Sequence, residues 1–171
     1  MNLKTLVFFL SSLLGASLVA YSQNRKPTSF SFTELTFHSS ICNGTCPNIS
    51  MNIYSDKRIE VSRRIFNKKG QRDSVLSGNF KGYLKSEDYL KLLSLLKSIN
   101  WDTLTFSKVL CCDGAIRTIL LSYNGKYKRV KSMILPESTI PLTNYLVHIA
   151  IDKSLPRYDH AIDFEVYEDK D

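Results

Sequence analysis

Four cysteines carry most of the chemistry this sequence offers. In "SICNGTCPNIS", Cys42 and Cys46 flank Asn43, Gly44 and Thr45, with Pro47 directly after, and Cys111 and Cys112 are adjacent further on. In an oxidising compartment such a set reads as two disulfides with three possible connectivities. A local Cys42–Cys46 bridge removes little unfolded-state entropy, about 2 kcal/mol or less, so its use would be to hold "NGT" rigid. Joining either of them to Cys111 or Cys112 closes a loop of about 65–70 residues and stabilises more, about 4 kcal/mol in the same relation. Free thiols and metal ligation complete the alternatives. Four thiolates match the count for tetrahedral zinc, but an adjacent Cys-Cys cannot place two sulfurs as a C-x2–4-C knuckle does. A redox dithiol of the thioredoxin type is C-x-x-C opening a helix. Here the spacer is three residues and Pro47 leads into a strand pattern, so no helix dipole would lower a thiol pKa.

The histidines add little to this. His38 lies four residues before Cys42, His148 stands four before Asp152, and His160 is near the end. Each reads as a surface or boundary histidine. No G-x-S-x-G, H-E-x-x-H, P-loop or dinucleotide fingerprint occurs. The expectation is no catalytic residue, no metal and no cofactor. Asn43 and Asn48 open N-glycosylation sequons ("NGT", "NIS"), which read as coincidence in a chain of bacterial style.

The compartment that oxidises cysteines is suggested by the opening "MNLKTLVFFLSSLLGASLVAYSQ". Lys4, an apolar run from Leu6 to Val19 and small residues at Ala20 and Ser22 lay out a secretory signal peptide. The run is shorter than the roughly 20 apolar residues a membrane span needs. Cleavage is placed after Ser22, and no cysteine near it argues for a lipid anchor. The expectation is a secreted or periplasmic protein with no transmembrane segment in its mature chain. Residues 23–158 form one domain, and 159–171 an acidic, flexible tail. Removing residues 1–22 leaves 22 basic against 16 acidic side chains, a net +6.

That charge is uneven. Seven basic residues fall between Lys57 and Arg72 against Glu60 alone, and Arg63, Arg64, Lys68, Lys69 and Arg72 form a candidate basic hairpin. The tail holds Asp159, Asp163, Glu165, Glu168, Asp169 and Asp171 against Lys170. A basic hairpin can meet an acidic surface or an envelope protein; it can equally be a solvated tip neutralised by the chain's own tail. No nucleic-acid recognition module is legible.

The elements that must position these groups follow from periodicity. Leu35, Phe37 and Ser39 alternate with polar neighbours, as do Met51 and Ile53, and then Ile59, Val61 and Ile65, so three strands are expected. "NKKGQRDS" reads as a polar connection, and a further strand as running from Val75 to Leu84. "KSEDYLKLLSLLKSIN" predicts a helix capped by Ser86, with Leu92, Leu93, Leu96 and Ile99 at helical spacing. Asn124-Gly125 predicts a tight hairpin. A second helix starts near Pro141 and ends before Pro156, and a short strand is possible over 164–167. The order predicts a single α+β domain: a twisted antiparallel sheet of about five to six strands with two helices packed on it.

The run "LTFHSSICNGTCPNISMNIYSDKRIEV" resembles a domain family of unknown function in exported proteins of Bacteroidota, with a C-x-G-x-C-P signature. Cys42, Gly44, Cys46 and Pro47 match it. "GYLKSEDYLKLLSLLKSINWDTL" is similar to the family's helix, and Asp113 to its following segment. Lys57 departs from the pattern, standing where a turn glycine is usual. The resemblance implies Cys42–Cys46 pairing, leaves Cys111-Cys112 unexplained, and carries no activity. Two functions remain. One is an exported, non-catalytic binding domain whose stiffened loop (Asn43, Gly44, Thr45, Pro47) contributes a recognition surface. The other is an envelope thiol–disulfide or metal-binding protein using all four cysteines.

Overall fold

Strands whose alternate residues are apolar must bury one face, and helices with one apolar stripe are the natural cover. The computed structural model describes residues 30–107 and 113–164. Residues 1–29, which include the expected signal peptide, residues 108–112 with Cys111-Cys112, and the tail from 165, which takes in most of the strand expected over 164–167, lie outside the described residues.

The strands are β1 (Phe32–Ser39), β2 (Asn48–Tyr54), β3 (Arg58–Lys68) and β4 (Gln71–Tyr83), followed by helix α1 (Ser86–Lys97). Then come β5 (Arg117–Tyr123), β6 (Lys126–Ser132), a 3-10 turn (Glu137–Thr139), helix α2 (Ile140–Ala150) and β7 (Arg157–Tyr158). They build one antiparallel sheet in the order β6-β5-β1-β2-β3-β4-β7. The sheet therefore has seven strands, more than the five to six expected. The one missed from the sequence is β7, whose two residues are too few to show any alternation.

The polar connection "NKKGQRDS" is also absent. β3 runs to Lys68 and β4 begins at Gln71, with Ile65 opposite Asp73 and Phe66 opposite Arg72. Only Lys69 and Gly70 turn the chain, and Gly70 takes φ +75°, which costs glycine no Cβ clash. This arm projects past the helices, so neither of its faces had to be apolar. Where the family resemblance expects a turn glycine, Lys57 itself adopts φ 71°. Its ammonium donates to Ser86 Oγ at 3.1 Å. Ser86 is thus the first residue of α1 rather than its cap, and no side chain caps that end.

The helix-covered face of the sheet carries Leu35, Phe37, Ile49, Met51, Ile53, Ile59, Val61, Phe80, Ile119, Leu121 and Val130. Leu92 and Leu96 of α1 and Leu142, Leu146 and Ile149 of α2 pack onto it. Each fully buried side chain of this kind contributes about 1.5–3 kcal/mol. Trp101 closes the core beyond α1 and donates its indole N–H to Leu96 O at 2.8 Å. Amid these residues stands one charge: Arg63, only 2% exposed, is the single charged residue buried among the described residues.

The opposite face is polar: His38, Ser50, Asn52, Tyr54, Glu60 and Lys81 point outward from the same strands. It is not bare. Asn79 Nδ2 donates to His160 O at 2.8 Å, and Phe164, 8% exposed, meets the His38 ring edge-on at 6.3 Å. Residues 160–164 of the acidic tail thus lie against this face, and Phe164 belongs to no strand.

Candidate functional site

At one end of the sheet β1 and β2 are joined by the segment that holds the first cysteine pair. Cys42 and Cys46 are disulfide-bonded, with Cα atoms 5.5 Å apart. The Cys46 N–H points at Cys42 Sγ (3.3 Å), closing the turn from within. A Cβ on Gly44 would meet that sulfur at 3.6 Å, an ordinary contact.

The loop is held from both sides. Asn43 donates its backbone N–H to Asp113 O (3.4 Å) and its amide to Asp113 Oδ2 (3.3 Å). The ammonium of Lys69, from the β3–β4 tip, donates to Asn43 Oδ1 at 2.5 Å. Below the loop, Asn48 donates to Ser39 O at 3.2 Å and accepts from Arg64 Nε (3.2 Å) and Nη2 (3.0 Å). Ser40 and Ile116 exchange two bonds of 2.9 Å, tying the entry of the loop to that of β5. The result is a rigid cap on the sheet end, flanked by the exposed Lys68, Lys69 and Arg72.

The five residues of the candidate basic hairpin are not brought together on that surface. Arg64 faces outward and Arg63 inward, because successive residues of a strand point to opposite faces. Arg63 Nε donates to Leu76 O (2.7 Å), and Nη1 donates to Ala150 O and to Asp152 O (3.0 Å). It neutralises the carbonyls at the C-terminus of α2, where a cation is favoured by the helix dipole. Burial pushes its pKa below the usual arginine value, Asp152 opposing this and Arg157 adding to it. The alternation itself contained that signal: Arg63 falls on the face of Ile59 and Val61.

None of the histidines completes a catalytic set. His38 Nδ1 and Ser50 Oγ are 3.0 Å apart, within reach for a base and a nucleophile. They stand in the middle of paired strands, where backbone N–H groups serve the ladder rather than an oxyanion, and Phe164 packs on the ring. His148 stacks on Tyr145 (6.1 Å) and His160 packs against Tyr158 (5.3 Å). His148, Asp152 and Ser154 share a cleft of about 460 Å³ between the start of α1 and the end of α2. There Ser154 Oγ donates to Asp152 Oδ2 (2.8 Å), which occupies the hydroxyl hydrogen that a nucleophile would give to a base. Among the described residues no group of three or more His, Cys, Asp or Glu side chains could hold a metal. No helix among them is long and apolar enough to cross a membrane.

A single antiparallel sheet with two helices and a short disulfide loop at its end defines the class of the domain as α+β. The family is shown by sequence: residues 33–150 match the domain of unknown function DUF6438, and the chain belongs to that family. The match runs from β1 to the end of α2, leaving β7 and the tail beyond it. No curated protein and no solved structure matches the chain.

Proposed function

We infer that this is an exported, non-catalytic binding domain that meets an acidic surface with the disulfide-capped end of its sheet. The observation that supports this most is the bracing of Asn43 between Lys69 and Asp113. A loop already closed by Cys42–Cys46 is fixed a second time, to the tip of the longest hairpin, so binding would cost it little ordering entropy. Around it Lys68, Lys69 and Arg72 supply a cationic rim of the kind that raises encounter rates with acidic partners. Export after cleavage behind Ser22 accounts for the disulfide. The C-x-G-x-C-P pattern then serves as the family's loop scaffold.

A second reading, thiol–disulfide exchange, has one observation in its favour: Asp113, bonded to the loop, directly follows Cys111-Cys112 in sequence. One experiment separates the two. The secreted chain is weighed intact after alkylation without reductant and again after mild reduction, then sedimented with vesicles rich in phosphatidylglycerol at low and high salt. The binding reading expects a chain beginning at Gln23, an unalkylated Cys42–Cys46 pair, and salt-sensitive sedimentation abolished in a K68E/K69E/R72E variant. Alkylation at Cys42 and Cys46 after only mild reduction would favour exchange, since structural disulfides resist the glutathione pool. Vesicle binding unchanged by charge reversal would sink the cationic rim.

A further inference from the structure

At the root of the same hairpin, on the helix-covered side, is a hollow that the loop reading does not use. It measures about 340 Å³, within the 300–1,000 Å³ range of ligand pockets. Val75, Leu76, Phe80 and Leu155 form its apolar walls, and the charged residues lining it are all cations: Arg63, Lys153 and Arg157.

Both guanidinium groups lie on one ring. The Arg63 Cζ is 3.9 Å from the centroid of Phe80 and the Arg157 Cζ is 5.4 Å from it. Each is fixed by carbonyls. Arg63 uses Nε and Nη1 as described, and Arg157 Nη2 donates to Val75 O (3.0 Å), Ser77 O (3.2 Å) and Ser74 O (3.4 Å). The close seating of Arg157 requires Gly78, where φ is +141° and an added Cβ would stand 2.7 Å from Nη1.

These clamps account for only part of each side chain. Arg63 Nη2, Arg157 Nη1 and Lys153 Nζ have no hydrogen-bond partner among the described residues, and none of the three residues makes an ion pair there. The nearby carboxylates, Asp152 and Asp73, act on Arg63 and Lys153 through charge but take their hydrogen bonds from other groups. Asp152 accepts from the Ser154 N–H and hydroxyl at 2.8 Å each, and Asp73 accepts from the N–H groups of Val75 and Leu76 at 2.9 Å each. Arg63 is buried while Lys153 and Arg157 are exposed at its rim, so an anion placed among them meets three charges of one sign and their spare N–H donors.

We propose that this hollow binds a small amphiphilic anion, its head group between Arg63, Arg157 and Lys153 and its apolar body against Val75, Leu76 and Leu155. The shared chemistry is a carboxylate on a hydrophobic body, which an acyl chain or an aromatic acid both supply. The proposal does not rest on the loop reading and stands or falls separately from it.

The test titrates the full secreted chain with decanoate and with 1-naphthoate, below their micelle concentrations, followed by calorimetry. Inorganic phosphate and decyltrimethylammonium serve as probes lacking the body and the negative head. Saturable one-to-one binding of at least one carboxylate is expected, about tenfold weaker in Lys153→Glu, with both control probes weaker still by a similar factor. The tighter of the two carboxylates names the source. Lys153 and Val75, the latter 77% exposed, can be changed without touching the clamps, so Lys153→Glu and Val75→Asp remain informative even if Arg63 variants fail to fold. No saturation at a Kd of about 1 mM or tighter would overturn the proposal. So would binding indifferent to both substitutions, or phosphate binding as tightly as the carboxylates.

Discussion

The two faces of the one sheet are built by alternate residues of the same strands, yet they hold by different means. The helix-covered face is continuous apolar packing interrupted by Arg63, whereas the outer face is polar and covered in part by a strap of tail ending at Phe164. Arg63 and Arg64 are neighbours in sequence and differ only in which face they enter. One binds three backbone carbonyls and is buried but for an edge on the hollow; the other bonds Asn48 at the surface. The difference teaches that charge alone does not assign a residue to recognition; its place in the alternation does.

That comparison breaks most sharply at the two arginines. Arg63→Ala should cost about 3 kcal/mol in urea denaturation, because it orphans buried carbonyls at the end of α2. Arg64→Ala should cost no more than about 0.5 kcal/mol. Equal losses would mean that Arg63 is not the buried clamp described. On the outer face, Phe164→Ala should cost about 1–2 kcal/mol, the burial of one ring at the edge of the structure. Amide exchange should quicken around Asn79 and His160 while the helices stay protected; uniform quickening would show that the strap belongs to the core.

The smallest effect is in alkali. Burial, and then donation to Asp102 Oδ1 at 2.8 Å, push the Tyr123 pKa up to about 12. Tyr145 is raised in the same direction by burial and by its bond to Asp88 (2.8 Å). A phenol whose folded pKa lies above its unfolded value near 10 binds its proton more tightly when folded. Its contribution is whole below pH 10 and is lost as pH rises toward 12. Tyr123→Phe should therefore flatten the fall of stability over that window; an unchanged slope would remove Tyr123 as its cause.

Much of the fold was legible because burial leaves periodic traces. Leu35-Phe37, Met51-Ile53 and Ile59-Val61 gave three strands, and Leu92-Leu96 gave a helix with one buried stripe. The Asn124-Gly125 turn was likewise readable, and both residues take positive φ (47° and 72°). The end of the β3–β4 arm, residues 67–72, was not legible, since a ladder exposed on both faces leaves no apolar alternation. β7 was too short to see. Of the candidate site, the Cys42–Cys46 pairing was open on residue grounds and was implied by family resemblance. The bracing by Lys69 and Asp113 joins positions 26 and 70 residues from Asn43, which local spacing cannot reveal. Arg63 was visible in the pattern, but its charge had grouped it with the surface.

The strand order has a kinetic side. From β1 to β4 neighbours in space are neighbours in sequence, and the order breaks twice, where β1 also pairs with β5 and where the short β7 returns to β4. The two leading hairpins and the Cys42–Cys46 ring need only nearby partners, so little loop-closure entropy delays them. The centre of the sheet waits for residue 117 onward, and non-local pairings of this sort set the pace of folding. Whenever the chain emerges N-terminus first, from a ribosome for instance, the disulfide loop can thus be complete before the strands and helix that follow residue 117 are available.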